Sequence, residues 1–165
     1  GYHVTSYYAP NARFGDPETQ VVLARLRTPL GGLLRAAARG ELADFGPLEW
    51  SDDAAVTVVV ASEGYPAKPV TGARIDGLDE VNGDGTAAGD GAYVLHAGTK
   101  LGSDGGIVSS GGRVLSVVGR GADLAAAREV AYAGVERITL PGSHHRTDIA
   151  LKALKGEITV EGEQA

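Results

Sequence analysis

Four side chains able to do chemistry crowd into one short stretch, Asn11-Ala12-Arg13-Phe14-Gly15-Asp16-Pro17-Glu18-Thr19-Gln20. An amide oxygen and nearby carboxylates suit a hard cation such as Mg²⁺, which takes oxygen ligands. A guanidinium beside the first turn of a helix suits an anion, because first-turn N–H groups and the helix dipole both point at it. The same residues also allow a structural reading, with Asp16 capping the helix and Arg13 pairing with Glu18. Spacing alone leaves both readings open.

Other candidates are less specific. Gly111-Gly112-Arg113 offers backbone amides to an anion, or makes a tight turn ahead of a strand. Asn82-Gly83-Asp84-Gly85 lacks the spacing and the terminal bidentate glutamate of a calcium loop, and its Asn-Gly and Asp-Gly pairs read as a hairpin turn. In His144-His145-Arg146 adjacent side chains diverge on a helix or strand. No third ligand lies near them in sequence, so a metal pair is not expected. Lys100, in His96-Ala97-Gly98-Thr99-Lys100, is placed on a hairpin tip, where a carrier domain would present a modified lysine and an ordinary domain a solvated one. There is no Gly-x-Ser-x-Gly nucleophile turn and no Walker-type phosphate loop. Cysteine is absent. That rules out disulfides, thiol nucleophiles and cysteine metal sites, and fits a reducing, cytoplasmic setting.

The elements that position these residues follow from local signals. Asp16-Pro17-Glu18 is a helix start: a capping acid, a proline suited to the first helical position, and a carboxylate favoured by the dipole. Val22, Leu23, Leu26, Leu30, Leu33, Leu34 and Ala37 then keep a helical period. Pro29 and Gly31-Gly32 interrupt it, which predicts helices over 17–27 and 29–39 with Gly40 as the stop. Ala54 to Val60 is short and β-branched, the pattern of a buried strand. From 67 to 121, short apolar runs alternate with glycine clusters, which predicts an antiparallel meander. Leu124, Ala127, Ala131, Val135 and Ile138 share one face of a helix over 123–138. A last short helix is expected after Thr147-Asp148. The whole reads as α+β: helices, then a small antiparallel β-rich domain with a packed helix. The expected divisions are an atypical segment 1–10, helices in 11–50, the β-rich domain 51–155 and a tail 156–165.

Composition bounds the function. The chain has 165 residues, 15 basic and 21 acidic, for a net charge of −6, and is 43% hydrophobic. A real core is possible and wholesale disorder is excluded. Without a basic field neither nucleic acid nor a membrane surface is an expected partner, and no apolar run approaches the ~18 residues of a membrane span. Methionine is absent and the first residue is Gly1. The chain is therefore expected not to be an intact primary translation product.

Several segments together resemble one family. NARFGDPETQ is similar to the end of the ATP-grasp portion of phosphoribosylamine–glycine ligases. Pro47-Leu48-Glu49-Trp50, Val58 to Pro66, His96 to Lys100, Ser110 to Val117, the helix Ala131 to Ile138 and Arg146-Thr147-Asp148-Ile149 follow in family order. The resemblance covers residues 11–154. It implies the end of an ATP-grasp region followed by a C-terminal domain, in an enzyme that joins glycine to 5-phosphoribosylamine through glycyl phosphate. ATP and Mg²⁺ (or Mn²⁺) are the implied cofactors. By the same resemblance Asn11 is a metal ligand and Arg13 a catalytic group near the acyl phosphate. Asp16 and Glu18 line the substrate side, and His96, Thr99, Gly112 and Arg113 face substrate from the C-terminal domain. The family's metal-binding glutamate two residues before the asparagine is Ala9 here. Without it, and without the ATP-binding portion, the chain alone is expected not to turn over. The alternative is a stand-alone binding module that kept the fold without the catalysis.

Overall fold

The computed structural model describes residues 17–82 and 91–158. Helix α1, Pro17–Arg25, starts with its proline at the first helical position and Glu18 in its first turn. Pro29 precedes α2, Leu30–Arg39. Gly40 ends α2 at φ 73°, a left-handed conformation that a residue with a Cβ adopts only at a cost. There the Gly40 and Glu41 amides donate to the Ala37 and Ala36 carbonyls at 3.1 and 2.9 Å. A 3₁₀ turn, Leu42–Asp44, follows, and the Phe45 ring lies against Gly32 of α2.

Three antiparallel strands form the main sheet. They are β1, Ala54–Ala61; β2, Ala92–His96; and β5, Arg113–Gly121, in the order β1-β5-β2. Two short strands, β3 (Thr99–Leu101) and β4 (Ile107–Ser109), pair as a hairpin. The meander expected over 67–121 is corrected by this pairing: β2 joins β5, with Val94 opposite Val117, instead of β3, the strand that follows it, and β3 pairs with β4 apart from that sheet. β1, ahead of that stretch, takes the other edge of β5, with Val58 opposite Val117. β5 is the longest strand, and pairing it on both edges outweighs the local turn preferences. Asn82 is corrected too. It ends helix α3, Leu78–Asn82, and its side-chain oxygen accepts a 2.7 Å bond from the Val94 amide. Residues 83–90 lie outside the described residues. Lys100 sits inside β3 opposite Val108, and the turn falls instead around Gly105, at φ 81°.

Helix α4, Leu124–Arg137, is capped by the Asp123 side chain, which accepts from Ala126 N at 2.8 Å. Ala127, Ala131, Gly134 and Val135 are its buried positions, the face expected from the spacing. The helix lies directly on β5: a Cβ on Gly119 would stand 2.8 Å from Ala131 Cα and 2.5 Å from Ala127 O. Val56, Val58, Val60, Val94, Leu115 and Val117 complete this core. A one-turn helix α5, Leu151–Leu154, follows at the C-terminal side. α1 packs across β1 and is pinned there by a buried 3.1 Å hydrogen bond from Thr57 Oγ1 to Gln20 Oε1. No helix among the described residues is long and apolar enough to cross a membrane.

Candidate active-site cavity

β1 is an edge strand, and what covers its outer edge defines a cavity. At one end Ala61 exchanges backbone hydrogen bonds with His144, at 2.9 and 3.0 Å. Before that point the edge opens into a cavity of about 710 Å³. Pro17, Glu18, Val21 and Val22 of α1 form one wall, Ala55, Thr57 and Val59 the floor, and Tyr65, Arg113 and the segment His144–Arg146 the far side.

The far wall is lashed to α4. The Arg128 guanidinium donates to the Ile149 and Thr147 carbonyls at 2.9 and 2.7 Å, and Tyr132 Oη donates to the Arg146 carbonyl at 2.6 Å. Arg128 also lies 4.4 Å over the Tyr132 ring. The two histidines diverge as adjacent side chains must: the His144 ring lies 6.4 Å from Tyr65, tilted by 33°, and His145 lies 6.0 Å from Tyr132. Arg146 grips Asp148 with two hydrogen bonds of 2.8 and 2.7 Å. That grip is the main cause holding the Asp148 carboxyl below its ordinary range.

The near wall carries one polar atom with unmet demand. Glu18 Oε1 is buried and meets no hydrogen-bond partner among the described residues, the condition of a carboxylate that awaits a donor. Proline at the first helical position and the Gln20–Thr57 bond fix α1, and so fix Glu18 in the wall.

The expected site residues divide as follows. Asn11, Arg13 and Asp16 lie outside the described residues. Glu18 and Arg113 line the same cavity, although 95 positions separate them (113 − 18). Gly112 sits beneath the cavity-lining Tyr65, whose ring leaves no room for a Cβ there. His96 and Thr99 bond to each other, Nδ1 to Oγ1 at 3.1 Å, and are not among the cavity's lining residues. Their turn is closed by backbone bonds: Gly98 N donates to Arg113 O at 2.9 Å, and Ser110 N to Gly98 O at 2.7 Å. The glycine-rich segments His96–Lys100 and Ser110–Arg113 thus stack on each other. Sequence reasoning did not place Tyr65 or His144–Arg146 in the site, and the signals available were the His144-His145-Arg146 run and the family-like segments that contain Tyr65 and Arg146. Among the described residues no group of three or more His, Asp or Glu side chains could hold a metal ion, so these residues alone do not fit a divalent cation.

Residues 55–152 match the family described as "Phosphoribosylglycinamide synthetase, C domain". The chain is similar to the phosphoribosylamine–glycine ligase of Streptomyces coelicolor, with 67% identity over 145 residues, 87% of this chain and 33% of the relative. It is 58% identical to the Mycobacterium bovis protein of the same name, over 91% of this chain and 33% of the relative. A crystal structure of the Thermotoga maritima phosphoribosylamine–glycine ligase superposes with a TM-score of 0.60 at 30% identity, covering 80% of this chain and 30% of the other. The chain therefore spans about a third of the length of the curated relatives it matches.

Proposed function

The chain belongs to the phosphoribosylamine–glycine ligase family, and we propose that it supplies the C-terminal part of an ATP-dependent ligase that joins glycine to 5-phosphoribosylamine. The observation that carries this reading is the high identity to the S. coelicolor ligase across most of the chain. In this reading residues 11–50 end an ATP-grasp region, residues 51–155 form the C-terminal domain, and residues 156–165 are a tail. ATP and Mg²⁺ belong mainly to the part of the family protein beyond this match. Asn11 would contribute an oxygen ligand to the metal, and Arg13 a guanidinium to the acyl phosphate.

The cavity supports a substrate-side role for this chain. Glu18, whose buried oxygen has no partner among the described residues, accepts a hydrogen bond from a substrate amine, and Asp16 is assigned the same substrate-side role by the family resemblance. Arg113, on the opposite wall, offers charge to a substrate phosphate or carboxylate. Gly112 sets the height of the Tyr65 ring, while His96 and Thr99 brace the turn behind Arg113. The setting is the cytoplasm.

Ala9, where the family resemblance leads one to expect a metal-binding glutamate, favours a second reading, a binding module without catalysis. An assay of ADP release with ATP, glycine and phosphoribosylamine tests both. The chain alone is expected to release none, and turnover at about 1 s⁻¹ or faster, the low end of enzymatic rates, would overturn the proposed incompleteness. Ligation by the chain together with the unmatched portion of the S. coelicolor ligase supports the first reading. Binding of that portion without ligation supports the second.

A further inference from the structure

The cavity wall His144–Arg146 belongs to no helix or strand, so what holds it in place must come from elsewhere. On one side His144 exchanges backbone bonds with Ala61 of β1. On the other, two side chains of α4 make four hydrogen bonds to the backbone of the wall and its continuation. Arg128 donates to the Thr147 and Ile149 carbonyls. The Tyr132 hydroxyl donates to the Arg146 carbonyl and accepts from the Ile149 amide at 3.2 Å. Arg128 and Tyr132 stand one turn apart on α4, where side chains meet, and the guanidinium lies over the ring. Each therefore fixes the other. Neither is among the residues lining the cavity.

A surface loop can satisfy its carbonyls with water, and then keeps many positions. Here side chains take that place, so the loop has one. The grip closes on Ile149 from both sides, at its amide and at its carbonyl. The next residue, Ala150, lines the cavity and stands at φ 65°. A left-handed backbone at a residue with a Cβ persists where the surroundings over-determine it, and such positions gather at ligand sites. We propose that Arg128 and Tyr132 are positioning residues for substrate. They set the place of His144, His145 and Arg146 across the cavity from Glu18, and through it the affinity for a sugar phosphate. The proposal rests on the substrate-side role given to the cavity above. It adds that two α4 residues outside the cavity govern that role.

The test titrates the 165-residue chain with ribose 5-phosphate, a stable sugar phosphate, by calorimetry, with thermal melts and amide exchange by NMR alongside. Tyr132→Phe keeps the ring and removes the hydroxyl. It is expected to weaken binding by about tenfold, the scale of one or two lost hydrogen bonds. The Ile149 amide should exchange faster by a similar factor, a local opening that a general loss of stability would not confine to one segment. Arg128→Ala should weaken binding as much, and Arg128→Lys, which retains a donor, should recover part of the loss. Arg137 supplies the control: it donates from the same helix to the Glu80 carbonyl at 3.1 Å, away from the cavity. Arg137→Lys should leave binding unchanged even where it lowers the melting temperature as much as Tyr132→Phe does. Binding in Tyr132→Phe equal to wild type overturns the positioning role and leaves the substrate-side reading standing. A loss in Arg137→Lys as large as in Tyr132→Phe overturns it too, because general stability is then the cause. Absence of binding in the wild-type chain overturns the substrate-side reading and the positioning role with it.

Discussion

The sheet with α4 and the helices of residues 17–50 are held together by different forces. In the first region Val58, Val114, Leu115, Val117 and Val118 are fully buried, and α4 packs on the Val58 and Val117 face of the sheet through alanine and glycine positions that allow close approach. In the second, the buried residues are Gln20 and Ala36. Polar pins do the fastening there: Gln20 to Thr57, Thr28 Oγ1 accepting from Glu49 N at 2.7 Å, and Arg25 donating to the Ser51 carbonyl at 3.2 Å. One region closes a core with its own side chains. The other is positioned by hydrogen bonds while several of its large apolar side chains stay exposed.

Substitutions can break or sharpen this contrast. Leu115→Ala should have the largest effect, lowering unfolding free energy by about 2–5 kcal/mol in urea titration, as cavity formation in a closed core does. Leu34→Ala in the same assay should change it by no more than about 0.5 kcal/mol, the range of surface positions. Equal losses would erase the distinction. Gln20→Ala removes the partner of the buried Thr57 hydroxyl and should cost about 1–3 kcal/mol. Ala150, at φ 65°, is the one non-glycine residue with positive φ among those described. Ala150→Gly should raise stability by about 0.5–1 kcal/mol, relief of left-handed strain exceeding the added chain entropy.

The smallest effect lies at the seam. Asp53 accepts from Ser51 and Arg120, which hold its carboxyl below the ordinary value. Asp148 is lowered likewise by Arg146. For such groups the unfolded chain binds protons first as pH falls, so stability rises with pH across the window. Their contribution is full above the unfolded value of about 4 and is lost as pH drops through the lower folded values. These carboxylates are at least a third exposed, so the change is modest. Thermal melts between pH 5 and pH 2 should show it, and in Asp53→Asn the acid dependence should flatten.

Much of this was legible in local sequence. Asp16-Pro17-Glu18 announced α1, Pro29 and Gly40 bracketed α2, and the alanine-spaced face of 124–138 foretold how α4 packs. The pairing of β1 with β5 was not legible, because no turn residue records a contact between Val58 and Val117. The cavity was half legible. Glu18 and Arg113 belonged to motifs that stood out, but Tyr65 and His144 come from distant loops, and only the edge of β1 and the clamp by Arg128 and Tyr132 bring them in. Gly112 carries a packing role against Tyr65 that composition alone could not separate from a turn.

Native-state hydrogen exchange on the chain by itself probes the contrast most directly. The β5 and α4 amides should exchange only through global unfolding. The α2 amides, Leu30–Arg39, should exchange through local openings costing at least ~2 kcal/mol less. If α2 and β5 amides share one opening free energy, the helices are part of the same core as the sheet and the contrast does not exist.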